Sequence, residues 1–182
     1  MSSATLSGGA TEPKVMLREA VLSADRRYRY RLTRRWDMER DWLGFVMLNL
    51  STADGETDDA TISKIIGFAK RMGAGGIWVT NLYAFRATNP KVMRKAADPV
   101  GPDNDQHIRQ MLVECPRVVA AYGAHQPKGI ARVREVERIL LASETPTFAF
   151  AYTLHGFPRH PLYLANETKL QRFEPAPGNA VT

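Results

Sequence analysis

The chain has a single cysteine, Cys115, among its 182 residues. A lone thiol excludes an internal disulfide and leaves no thiolate set for structural zinc or an iron–sulfur cluster. An intracellular, cytoplasmic setting is therefore the default expectation. Long apolar runs are also missing, and none approaches the ~20 residues needed to span a bilayer. The opening SSATLSGGATEP lacks the apolar core of a secretory signal and is expected to be a flexible leader over residues 1–14. No glycine-rich phosphate loop is present, because Gly73, Gly75 and Gly76 precede an apolar run instead of following one. There is no serine elbow, no zinc-ligand spacing and no internal repeat. These absences exclude the motif-defined nucleotide hydrolases, dinucleotide enzymes and serine hydrolases, and they imply neither cofactor nor metal.

What is present is a basic chain of globular composition. It is 44% hydrophobic with a formal net charge of +6, and its pI is near 9.7. That length supports one domain with a real core, expected over residues 15–170, and a flexible tail over 171–182. The positive balance fits an acidic partner such as nucleic acid or a nucleotide. It does not require one, since many small basic proteins have none.

Hydrophobic period gives the organisation. Val15 to Ser23 fits strand or helix, with strand preferred. Tyr28, Tyr30 and Leu32 alternate with Arg29 and Arg31, the two-residue period of a half-buried strand with one basic face. Asp37 to Asp41 is a polar loop into the apolar run Leu43 to Leu48, which predicts an antiparallel N-terminal hairpin. Ile62, Ile65, Ile66 and Ala69 repeat at helical spacing, and Gly73 to Gly76 stops that helix before the strand Ile77 to Thr80. A helix carrying Ile108, Met111, Leu112 and Cys115 precedes the run Val118 to Ala121, and one carrying Ile130, Val133, Val136 and Leu140 precedes Thr147 to Ala151. Alternating strands and helices predict an α/β three-layer sandwich whose central sheet is mostly parallel, with about four strands.

Ligands of such sheets bind outside the carboxyl ends of the strands, so polar residues just past each apolar run are the candidate site. They are Asn49 in FVMLNLSTAD, Asn81 in WVTNLYAFR, Tyr122 and Gly123 in VVAAYGAH, and His160 in FPRHPLYL. Asn49 can orient a water or read an amide edge, and Ser51, Thr52 and Asp54 add hydroxyls, backbone donors and a carboxylate; the same residues also make an ordinary turn with a helix cap. Asn81 offers a base-reading amide, with Arg86 and the Asn89–Pro90 turn beyond it. Arg86, Lys91, Arg94 and Arg159 flank these loops and are the best phosphate contacts. His160 lies in GFPRHP, where a rigid loop can hold an imidazole against a developing anion. His107 on a polar helix face, His125 and His155 make weaker cases. Asp54, Asp58 and Asp59 can ligate a hard cation or complement a helix dipole, and the second use is the commoner.

The segments YRYRLTRRWD, VMLNLSTADGETDDATI, GFAKRMGAGG, VTNLYAFRATNPK, DPVGPDND, VVAAYGAH and GFPRHPLYL, in that order from Tyr28 to Leu164, resemble the domain-of-unknown-function family 1643. Leu50 stands where family members usually carry proline. The arrangement is more distantly similar to the uracil-DNA glycosylase superfamily, which implies the fold of those enzymes. By that resemblance Asn49 takes the water-positioning place and Asn81 the base-reading place. His160 and Pro161 match the His-Pro loop, and Leu164 takes the place of its wedge.

Cleaving an N-glycosidic bond needs a positioned water, an amide to read the base and a donor for the departing anion. The resemblance implies a glycosylase-like hydrolase acting on a nucleic-acid base or nucleoside. Two alternatives use the same residues differently: a non-catalytic reader of a nucleobase or modified DNA, and a metal-dependent phosphoester hydrolase built on Asp54, Asp58 and Asp59.

Overall fold

The computed structural model describes residues 17–49, 57–87, 90–124 and 130–175, and of residues 90, 91 and 94 the backbone alone. Its strands are β1 (Leu17–Leu22), β2 (Arg29–Arg35), β3 (Trp42–Met47), β4 (Gly76–Asn81), β5 (Val118–Ala120), β6 (Thr147–Ala149) and β7 (Gln171–Arg172). Its helices are α1 (Ala60–Arg71), α2 (Pro90–Lys95), α3 (Asn104–Glu114) and α4 (Ala131–Leu141). The strands form one seven-stranded sheet in the order β1-β2-β4-β3-β5-β6-β7.

The α/β class is observed, but the sheet is mixed. The centre, β4-β3-β5-β6, is parallel, while β1–β2, β2–β4 and β6–β7 are antiparallel. The expected parallel four strands are thus the middle of a wider sheet. Of its added strands, β1 and β2 were expected as strands, and the two-residue β7 was not.

The hairpin also differs from expectation: β2 pairs with β1 and β4, never with β3. The reason is the loop at Asp37–Asp41, which wraps over the start of β4 instead of reversing beside itself. Trp36 and Asp37 donate their backbone N–H groups to the Gly75 carbonyl, and Gly75 donates to the Asp41 carbonyl. A Cβ at Gly75 would stand 2.3 Å from the Asp37 carbonyl oxygen, so only glycine permits this approach.

The alternation in β2 is broken by a bulge. The register passes from Val21 opposite Arg31 to Leu22 opposite Arg29, leaving Tyr30 as the extra residue. Leu32 therefore joins the core against α1. Tyr28 and Tyr30 form a separate cluster with Ala84 and Phe85, and Tyr30 stacks on His107 of α3 with ring centroids 5.0 Å apart. Nor is the basic face solvated: Arg29 is 4% exposed and Arg34 is fully buried.

Helices cover both sheet faces, as a three-layer arrangement requires. On one, Leu43, Phe45 and Met47 pack with Ile62, Ile65 and Phe68 of α1. On the other, Val46, Trp78, Val118 and Ala120 pack with Ile108 and Met111 of α3 and with Val133 and Val136 of α4. Each such side chain contributes about 1.5–3 kcal/mol relative to exposure. The connections leave β3 in opposite directions: α1 leads to β4 on one side, and α3 leads back across to β5 on the other. The strand order therefore reverses between β3 and β5, which is where an open α/β sheet leaves a crevice.

The expected tail begins too early. Gln171 and Arg172 form the edge strand β7 beside β6, and Phe173 is buried in the α4-side core. Cys115, just past α3, is 1% exposed, and burial pushes its thiol up to about 12. Among the described residues no helix is long and apolar enough to cross a membrane.

Candidate functional site

After β6 the chain folds back over the carboxyl edge of the sheet. The Arg159 N–H donates to the Ala151 carbonyl and the Gly123 N–H to the Pro158 carbonyl, at 2.8 and 2.9 Å. These bonds tie the segment before His160 to both β5 and β6. Gly123 has φ of 72°, and a Cβ there would meet the His160 Cβ at 3.4 Å. Both constraints explain a glycine directly after Tyr122. His160 then caps a short 3₁₀ turn, Pro161–Tyr163, its Nδ1 accepting the Leu162 N–H at 3.4 Å. With Nδ1 used as acceptor, the neutral ring carries its proton on Nε2.

A cleft of about 410 Å³ opens at this place. Leu48 after β3, Tyr122, Gly123 and Ala124 after β5, and Thr153, Arg159, His160 and Tyr163 line it. Burial lowers the His160 imidazole below the ordinary histidine range, opposed by the Asp59 carboxylate. The ring is thus held toward its neutral form, an N–H donor and not a cation. Tyr122 donates its hydroxyl to Glu137 Oε1 at 2.6 Å, and both residues are 1% exposed. Burial first and the Glu137 carboxylate second push the Tyr122 phenol well above the usual tyrosine range, so it stays a neutral donor in the core behind the cleft.

The structure brings four of the expected residues to this cleft: Tyr122, Gly123, Arg159 and His160. The others sit elsewhere. Asn49 follows Leu48, but its amide nitrogen donates to the Phe85 carbonyl at 2.8 Å and to Met93 Sδ at 3.3 Å, on the β4 side. Its oxygen has no hydrogen-bond partner among the described residues. Asn81 ends β4, is 4% exposed, and its Oδ1 is also unpartnered among the described residues. Its backbone carbonyl accepts from Asn104 Nδ2 at 2.9 Å, and Asn104 and Arg132 Nε both donate to the Leu82 carbonyl. Arg86 lies further out, its N–H on the Arg27 carbonyl and its guanidinium on that of Arg26. Leu164 is 7% exposed and belongs to the α1-side core. The exposed wedge implied for it is corrected by that burial. Ser51, Thr52, Asp54 and His125 lie outside the described residues, as do the side chains of Lys91 and Arg94.

Two of the three clustered carboxylates have structural partners. Asp58 accepts from Arg34 Nε at 2.7 Å and from Arg18 at 3.0 Å, and Asp59 caps α1 through the Ile62 N–H at 2.8 Å. Among the described residues no group of three or more His, Cys, Asp or Glu side chains is placed to hold a metal ion. His107 is half-buried against Tyr30 and not on a solvated face.

Sequence reasoning missed Glu137 and Tyr163. Glu137 had a signal: it stands four residues after Val133 and three before Leu140, a core position of an amphipathic helix occupied by an acid. Tyr163 had none beyond its nearness to His160.

The fold and the cleft define a three-layer α/β protein with a ligand-sized crevice at the strand-order reversal. The chain belongs to the DUF1643 family, described as a protein of unknown function, whose profile matches residues 29–162. No curated protein and no solved structure matches the chain.

Proposed function

We propose that this chain binds a nucleobase or nucleotide in the cleft beside His160 and supports slow, glycosylase-like cleavage of an N-glycosidic bond. The observation that carries the reading is the imidazole itself, half-buried in the cleft wall, held toward its neutral form, and bonded by the Leu162 N–H so that Nε2 remains a donor. A neutral N–H donor stabilises a departing base anion without having to deliver a proton. The exposed Tyr163 ring suits a flat heterocycle, and Arg159 suits a phosphate. Asn49 and Asn81, the water-positioning and base-reading amides of the resemblance, lie on the β4 side and do not line this cleft, so the reading rests on His160 and Arg159. The distant similarity to the uracil-DNA glycosylase superfamily supports the role of His160. With no carboxylate among the described lining residues, rate would come from positioning and electrostatics.

A non-catalytic reader is the second reading, favoured by one fact: none of the described side chains lining the cleft is a carboxylate. One experiment separates the two. Incubation with oligonucleotides carrying varied damaged bases, followed by mass spectrometry of released base, should give free base that His160→Ala reduces. Nucleotide binding without release leaves the reader. If no nucleotide or oligonucleotide binds at low ionic strength, both readings fall.

A further inference from the structure

We infer that the occupant of this site is a single-stranded stretch of nucleic acid several nucleotides long, and not an isolated nucleotide; this rests on the nucleobase reading of the cleft. An arginine cluster lies at the opposite end of the same sheet edge. Because β2 runs antiparallel to β4, the start of β2 lies at the carboxyl ends of β4 and β3, the end that carries the cleft. There the bond from Arg86 to the Arg26 carbonyl gathers Arg26, Arg27 and Arg86 together. The Arg27 guanidinium lies 5.8 and 5.9 Å from the ring centroids of Tyr28 and Phe85. All three arginines are exposed. Asp25 meets Arg27 only at 3.9 Å and is otherwise used by the Ser23 hydroxyl and the Arg27 N–H.

At the cleft end, two apolar side chains stand in solvent: Leu154 is 98% exposed and Tyr163 is 78% exposed. Leu154 sits at the tip of a rigid turn in which the Thr153 N–H donates to the Phe157 carbonyl and the Gly156 N–H to the Thr153 carbonyl, at 2.8 and 3.0 Å. Gly156 supplies the positive φ of 79° that closes it. A preorganised apolar tip beside a cleft loses little entropy on contact, which suits stacking against an unpaired base.

From β2 to β6 the sheet takes four strand steps, about 19 Å at ~4.8 Å each. One nucleotide in the cleft reaches Arg159 and leaves the arginine cluster unused. A strand rising ~3.4 Å or more per nucleotide covers the distance with several residues, its bases on Leu154 and Tyr163 and its phosphates on the cluster.

The test compares a fluorescent single strand about 12 nucleotides long with the corresponding mononucleotide, on the full chain. The single strand should bind at least about tenfold tighter than the mononucleotide. The double variant Arg27→Ala/Arg86→Ala should lose that advantage and flatten the log–log salt slope by about 1.4, at ~0.7 per single-strand phosphate contact. Leu154→Ala, at a fully solvated position, should weaken the strand several-fold and leave mononucleotide binding unchanged. Equal affinity for strand and mononucleotide, or a strand affinity indifferent to these variants, overturns the inference while the cleft reading stands. Equal competition by poly-glutamate points to an acidic peptide and also overturns it. Failure of the mononucleotide and the strand alike removes the cleft reading with it.

Discussion

The two halves of the carboxyl edge use similar residues for opposite ends. Around β5 and β6, polar side chains after the strands open into a cleft: His160 and Arg159 face it, and backbone N–H groups do the fastening. Around β4, polar side chains do the fastening themselves. The Asn49 amide donates to Phe85, the Asn104 amide to Asn81 and Leu82, and Arg132 to Leu82. The lesson is that an Asn at a strand end marks a demand for hydrogen bonds before it marks a ligand. Which it serves depends on whether the neighbouring backbone is already satisfied.

The largest effect should come from a fastening outside both halves, at the amino end of the sheet where Arg34 lies opposite Ile77 of β4. Arg34 is fully buried at the start of the α1 side, and Asp58 gives it a carboxylate at 2.7 Å. Asp58→Ala should destabilise the fold by about 3–5 kcal/mol, the usual result of removing one partner of a buried ion pair. Urea denaturation would show it as a lower midpoint with unchanged slope. A change below about 1 kcal/mol would mean that Asp58 is a surface charge and would reopen the possibility that it serves a ligand.

A smaller effect should come from the cleft half. Gly123→Ala places a side chain in the left-handed region and a Cβ at 3.4 Å from that of His160. The expected cost is about 1–2 kcal/mol, with loss of nucleotide binding out of proportion to it, because the displaced group is the donor. Calorimetric binding and thermal unfolding on the same variant check this. If stability falls and binding does not, His160 is not held in place by that contact.

How much of this was legible in the sequence follows the same division. Tyr122 and Gly123 were readable because they directly follow the buried run of β5, whereas His160 comes 11 residues after β6 and reaches the cleft through the Gly123–Pro158 and Arg159–Ala151 bonds. The destination of Asn49 was not readable, since its amide bonds a carbonyl 36 residues away. The bulge at Tyr30 was invisible because the Tyr-Arg alternation looks intact across it. The pairing of β2 with β4 depended on Gly75 admitting the Asp37 loop, a contact with no periodic signature. Leu164 was misread because its spacing from His160 says nothing of which way the turn faces. Glu137 was missed although its helical spacing marks it as a buried acid.

The smallest effect sharpens the comparison without breaking either half. His107 and His160 stand one in each half, and burial lowers both imidazoles below the ordinary histidine range. Around His107 the Arg31 guanidinium adds to the lowering and the Asp103 carboxylate opposes it; around His160 only the Asp59 carboxylate is paired against burial. A histidine whose folded value lies below its unfolded one binds its proton first in the unfolded chain. Stability is therefore fully present above the unfolded value, about 6.5, and is lost as pH falls through the folded values. Denaturation midpoints measured from pH 8 to pH 5 should fall on the acid side in the native chain. His107→Gln and His160→Gln should each flatten the fall in part, and the double variant most. A saturating nucleotide should steepen the fall in the native chain but not in His160→Gln, because only His160 faces the cleft. An acid slope unchanged in the double variant would place the sensitivity outside these two rings. A nucleotide effect that persists without His160 would move the ligand away from it.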